Sequence, residues 1–175
     1  MILERFFLSN QPQSNSKAMP TIHLTTVINA PAARVFDLAR SVSLHKKALE
    51  HTGEEAIAGI TSGLISLNET VTWRARHLGK TRTLKSRITA MEAPASFTDE
   101  MAEGDFVSLK HDHHFKEVEN GTIMIDLMNF ESPYGVAGKV FNQLYLTRYL
   151  RRLLEQRNRI IKEYAESNKW QHLLV

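Results

Sequence analysis

The sequence predicts an α+β domain in which a curved antiparallel sheet wraps one long helix near the C-terminus. Three observations carry this. From Val136 to Ser167, Leu146, Tyr149, Leu150, Leu153, Arg157, Ile160, Ile161 and Tyr164 recur at helical spacing and so share one broad face. Two pairs of alternating segments meet at Gly79-Lys80 and at Asn120-Gly121, residues suited to tight hairpins. Only short helical stretches interrupt the chain between its first strand and those hairpins, so about six strands follow one another as a meander. A helix with a single apolar stripe must bury it, and the upstream strands supply the surface.

Taken in order, residues 1–18 are expected to form an arm outside the fold. Met1–Leu8 is apolar but broken by Glu4 and Arg5, no small-residue cleavage site follows, and Ser9–Ala18 is a polar, linker-like stretch. Met19-Pro20 could be an alternative start. One domain is expected over 19–167, with a tail at 168–175. Thr21–Asn29 alternates, with Ile22, Leu24 and Ile28 on one side and His23, Thr25 and Val27 on the other, which is strand period. Pro31 opens a helix whose missing N–H costs nothing in the first turn, and Val35, Phe36, Leu38 and Ala39 give it a stripe to bury. Ser41 or Ser43 can cap a second short helix through Leu44 and Leu49, closed by Thr52-Gly53.

A short strand at Glu55–Ile60 precedes the first hairpin, Glu69–Leu78 with Thr81–Met91. Pairing Leu78 with Thr81 sets Trp73 opposite Ser86 and Ala75 opposite Leu84 on an apolar face, while Arg74, Arg76, Lys85 and Arg87 stand on the reverse. Phe97, Asp99 and Met101 share a face of the next strand, Ser96–Met101. The second hairpin joins Phe106–Val118 to Thr122–Glu131. Pairing Glu119 with Thr122 puts Phe115 opposite Asp126, His113 opposite Met128 and His111 opposite Phe130, all on one inward face. On the reverse, Ile123, Ile125 and Leu127 call for a partner subunit, as in a homodimer, or a bulge that shifts register. Ser132-Pro133-Tyr134-Gly135 then breaks the chain before the long helix.

Composition bounds the function. The 175 residues contain no cysteine, which excludes disulfides, thiolate chemistry and cysteine-ligated zinc, and suits a reducing cytoplasm. Net charge is +3 and the sequence pI about 9.2, a mild excess. The basic residues of the first hairpin lack aromatic stacking partners, so a solvated face is expected and nucleic-acid binding is not. No apolar run reaches the roughly 20 residues of a membrane span. No glycine-rich phosphate loop, Gly-x-Ser-x-Gly elbow or His-Glu-x-x-His helix is present.

Three stretches resemble one superfamily. Ile28–His45 (INAPAARVFDLARSVSLH) is similar to its first strand running into paired helices. Pro94–Phe115 (PASFTDEMAEGDFVSLKHDHHF) is similar to a pattern of Pro, Phe, Gly-Pro-Phe, Trp, His, His and Phe, with Asp105 where proline is common and Leu109 where tryptophan is common. Thr122–Gly135 (TIMIDLMNFESPYG) resembles the strand leading into the long helix. Over residues 20–167 the chain thus resembles the START-like, birch-pollen-allergen-like (SRPBCC) superfamily, nearest its small bacterial polyketide cyclase and dehydrase branch. The resemblance implies a helix-grip fold with a cavity for hydrophobic ligands between sheet and helix, in proteins ranging from lipid carriers to cyclases.

Within such a cavity the expected lining is Trp73, Phe97, Met101, His111, His113, Phe115, Asp126, Met128 and Phe130, with Tyr145 or Tyr149 from the helix. His111, His113 and Asp126 carry the chemistry under competing readings. The plainest is a buried polar cluster; the next is orientation of a bound carbonyl or hydroxyl. A third is general acid–base catalysis of cyclase or dehydratase type, with Asp126 orienting His113. A metal on His111, His113 and Asp126 needs convergent ligands and an open position, which strand spacing does not establish. The expectation is a cytoplasmic binder of a hydrophobic or aromatic small molecule or lipid, with no metal and no cofactor; the alternatives are a cyclase- or dehydratase-type enzyme using His113 with Asp126, and a dimeric regulatory or interaction protein using Ile123, Ile125 and Leu127.

Overall fold

The computed structural model describes residues 20–132 and 139–174, the side chains of 139–143 excepted. The expected arm at 1–18 and the break at Pro133–Gly135 lie outside the described residues. The elements run β1 (Thr21–Ile28), α1 (Ala32–Ala39), α2 (Val42–Ala48), a 3-10 turn at Glu50–Thr52, β2 (Glu55–Gly59), β3 (Thr70–His77), β4 (Lys80–Glu92), β5 (Ser96–Glu103), β6 (Ser108–Val118), β7 (Gly121–Glu131) and α3 (Lys139–Ala165). The seven strands form one antiparallel sheet in the order β1-β7-β6-β5-β4-β3-β2. Strands β2 to β7 are the expected meander, and β1 pairs with the last of them. Ser41 is the cap of α2, accepting from the Leu44 N–H at 3.2 Å, while Ser43 Oγ accepts from Gly63 at 3.2 Å.

Both hairpins depart from the expected register by two residues. The first closes at His77↔Lys80, so Trp73 faces Leu84 and Ala75 faces Arg82. Its turn residues are Leu78 and Gly79, with φ of 53° and 78°. Positive φ at both positions suits a turn whose twist matches that of the strands. The second closes at Val118↔Gly121, so His113 stands directly opposite Asp126, His111 opposite Met128 and Phe115 opposite Met124. Gly121 is therefore the first residue of β7 and not the second of the turn. A Cβ there would lie 2.2 Å from the Ile28 carbonyl oxygen, so the hairpin end is pressed onto β1. A shift of two preserves which residues face inward, because side chains alternate with period two.

The inner face of the sheet does not close into one core. One apolar cluster joins α1, α2 and the end of α3 to the middle strands, with Phe36 edge-on to Phe97 and Phe115 at centroid distances of 5.7 and 5.5 Å. A second gathers Ile22, Leu109, Met128, Phe130 and Leu154. Residues 168–174, set apart as a tail on sequence, fold into a 3-10 turn and a short helix, where Trp170 lies under the Arg34 guanidinium at 4.5 Å. On the outer face, half-buried Ile123, Ile125 and Leu127 pair with Val27, Thr25 and His23 of β1. The basic hairpin face is partly neutralised there, by Arg74–Glu55 at 2.6 Å and Lys85–Glu103 at 2.7 Å. Among the described residues no helix is long and apolar enough to cross a membrane.

Candidate ligand-binding cavity

Asp126 is the centre of the inner face, fully buried in mid β7. Four side chains from two elements reach its carboxylate. His111 and His113, two apart on β6, approach Oδ1 with Nε2 at 3.0 Å and Nδ1 at 2.9 Å respectively. From α3, Asn158 donates to Oδ2 at 2.7 Å, and the Arg157 guanidinium stands 3.5 Å from Oδ1 while donating to the Ala39 carbonyl at 2.8 Å. A carboxylate only accepts, so His111 Nε2 carries the proton of its bond. Asp99 on β5 completes the group, its Oδ2 lying 3.0 Å from His113 Nε2 and 3.9 Å from His111 Nδ1.

Electrostatics follow from this packing. Burial alone would raise the Asp126 carboxyl, but His111 and His113 hold it well below the usual carboxylate range. Asp99 is likewise lowered against the effect of burial, chiefly by His113. Burial pushes the His111 imidazole down, and its neighbour His113 adds to this. The phenyl ring of Phe97 stacks on the His113 ring at 4.1 Å and shields one of its faces.

Beside this group the two apolar clusters leave a cavity of about 510 Å³ between sheet and α3. Val71, Trp73, Ile88 and Phe97 line it from the sheet, and Leu146, Leu150, Leu153 and Leu154 from the helix. A second polar group lines it toward the β2 edge. There Glu54 Oε1 meets His45 Nε2 at 3.2 Å, His77 Nδ1 meets the Tyr149 hydroxyl at 2.8 Å, and His45 stacks on Trp73 at 4.3 Å. Burial would raise Glu54, yet the His45 contact leads to a lowered carboxyl; burial lowers His77 and raises Tyr149.

In overall structure the chain is similar to the Zhui aromatase/cyclase of a Streptomyces species, at 14% identity and a TM-score of 0.67 over 85% of this chain and 94% of that one. It is also similar to a Thermus thermophilus protein, at 19% identity and a TM-score of 0.61 over 81% and 97% of the two chains. Ginseng major latex-like protein 151 from Panax ginseng matches at 16% identity and a TM-score of 0.61 over 85% and 99%. The fold they share with this chain is the helix grip, a curved antiparallel sheet around a long C-terminal helix. No family model and no curated protein matches the chain in sequence. At these identities the likeness is one of fold.

Of the residues expected to line a cavity, Trp73, Phe97, His111, His113, Met128, Tyr145 and Tyr149 stand in the wall of this one. Four other expected residues do not. Asp126 sits behind the two histidines, and Phe115 packs on Phe36 and Phe97. Phe130 is closed off against Phe106, and Met101 packs against the Leu109–Phe130 cluster. Each points inward, but inward at those positions means core. Sequence reasoning missed Asp99 as a partner of the histidines, and missed Arg157 and Asn158. An arginine inside an otherwise apolar helical stripe was the available signal, since a buried charge demands a partner. His45, Glu54 and His77 were also missed, because they come from a helix, a loop and a strand far apart in the chain.

Proposed function

We propose that the protein binds a hydrophobic or aromatic small molecule in the cavity between sheet and long helix. The supporting observation is the cavity itself: about 510 Å³, walled mainly by aliphatic and aromatic side chains, with the Asp99–His111–His113 and His45–Glu54–His77 groups among its polar lining. Pockets of that size and make-up suit drug-sized ligands, whose few polar atoms are oriented by convergent donors and acceptors. An apolar ligand with an oxygen at each end can engage both groups, one on β5 and β6, the other on α2, β3 and the loop before β2. That the similar Zhui protein is an aromatase/cyclase is in keeping with an aromatic occupant.

The test is native mass spectrometry of the freshly purified chain, followed by extraction of what co-purifies. A bound apolar molecule is expected. Fluorescence gives a second readout, because the chain has two tryptophans and only Trp73 stands in the cavity wall. A ligand should change the emission of the native chain but not of Trp73→Phe. An apo protein that binds nothing from a panel of lipids and polycyclic aromatics would overturn the reading.

A second reading, turnover in the same cavity, draws on the imidazoles that line it at both polar groups. A cyclase or dehydratase step would use His113, backed by Asp126, as the acid–base group. It predicts that His113→Asn abolishes turnover while ligand affinity is nearly kept; equal loss of both would leave only the binding role.

A further inference from the structure

Three donor atoms converge on one point of the cavity wall between β5 and β6. Asp99 Oδ2 lies 3.0 Å from His113 Nε2 and 3.9 Å from His111 Nδ1, and one donor atom from each of the three residues falls within a set no more than 4.8 Å across. Donors held about 2.0–2.1 Å from one divalent ion stand roughly 3.0–3.5 Å apart. Small side-chain rotations therefore bring the trio to ligand spacing.

The other nitrogen of each ring turns away from that point toward a single atom. Asp126 Oδ1 is 3.0 Å from His111 Nε2 and 2.9 Å from His113 Nδ1. One buried carboxylate, itself held by Asn158 and Arg157, thus takes the His111 Nε2 proton and lies against His113 Nδ1, leaving the other nitrogen of each imidazole facing forward. Metal-bound histidines almost always pass their second N–H to a carboxylate, a backbone carbonyl or a water. A purely structural cluster explains the arrangement less well. His113 Nδ1 is buried with no in-line hydrogen-bond partner, although Asp126 is in contact with it. If His113 Nε2 coordinates an ion and no longer donates to Asp99, the ring proton moves to Nδ1 and faces that carboxylate.

We propose that Asp99, His111 and His113 bind a divalent transition-metal ion of the zinc or ferrous class, with Asp126 as the outer carboxylate that aims both imidazoles. Two imidazoles and one carboxylate are the donor set for such ions, and they leave coordination positions open. Those positions face the cavity, because the three ligands line it and Asp126 does not. An oxygen of the cavity's occupant is the natural further ligand, a point that rests on the binding reading; the metal site itself does not. Strand spacing gave no ground to expect it, since the third ligand comes from β5 and Asp126 is not one of the three.

The experiment is titration of the chelator-treated full chain with Co(II), followed by absorption in the visible, and with Zn(II), followed by calorimetry, both without organic ligand. One equivalent is expected, with a spectrum of nitrogen and oxygen ligation. Asp99→Asn and His111→Gln should each weaken binding at least about 100-fold, and Asp126→Asn by about 10–100-fold. Circular dichroism checks that each variant is folded, and Asp99→Asn is the safest of them because that side chain is 22% exposed. Failure to bind either ion would overturn the proposal. So would a stoichiometric site that Asp99→Asn leaves unchanged, which would put the ion on other histidines.

Discussion

Arg157 and Asn158 are neighbours on α3, yet both end at Asp126, which fixes how the helix is seated on the sheet. Removing one partner of a buried ion pair costs far more than an exposed pair contributes, because the remaining charge stays out of water. Arg157→Met also strips the Ala39 carbonyl of its 2.8 Å donor. A loss of about 3–5 kcal/mol in urea unfolding is expected, and a loss near zero would mean that Asp126 is satisfied by Asn158 and the histidines alone. At Glu54 the residue scale sets a pH dependence. Its folded carboxyl is lowered against the effect of burial, with His45 the leading cause, so its contribution is complete above the ordinary carboxylate range and fades as pH falls through the folded value. Stability measured by denaturant should decline on that acid limb, and Glu54→Gln should flatten the decline.

At the scale of elements, the two hairpins differ in why they need glycine. Gly79 has open space around a Cβ and only a left-handed φ, so Gly79→Ala should cost about 1–2 kcal/mol. Gly121 has the Ile28 carbonyl oxygen 2.2 Å from its Cβ position, so Gly121→Ala must push β7 off β1. About 3 kcal/mol or more is expected, because backbone cannot yield as a side-chain end can. Paired thermal or urea melts decide it, and equal costs at the two glycines would refute the contact. The same turns explain the register. Glycine at the turn reads equally well one residue earlier or later, and the closer of the hairpin is decided by backbone twist and by what the turn touches. Inward and outward faces were legible nonetheless, because an even slip leaves them alone. The buried stripe of α3 was legible for a similar reason, its period being local to the helix.

Across the whole molecule, the cavity exists because the apolar side chains of sheet and helix form two clusters that do not meet. Ala75, a small residue in the wall beside Trp73 on the same strand face, should accept a larger side chain. Ala75→Leu is expected to change stability by no more than about 1 kcal/mol, since it fills existing space without overpacking. It should also reduce ligand uptake at least about tenfold by fluorescence titration. A large loss of stability would instead show that the space is needed by the fold itself.

Alternation, helical period, turn residues and the absence of cysteine determined the class of this protein: a meander, two short helices and a long gripping helix, with His111, His113 and Asp126 on one inner face. These are local or period-based properties, and each can be read within a few residues. The division of inward residues into wall and core was decided only by tertiary structure. Phe115, Phe130 and Met101 face inward as truly as Phe97 does, and only the position of α3 and its neighbours separates them. The company of Asp126 was decided there too. Asp99, Arg157 and Asn158 lie 27, 31 and 32 positions from it along the chain, and no sequence period brings them together. What joins them is the cost of burying a carboxylate without partners, a free energy that the folded chain settles with whichever side chains the sheet and helix bring within reach.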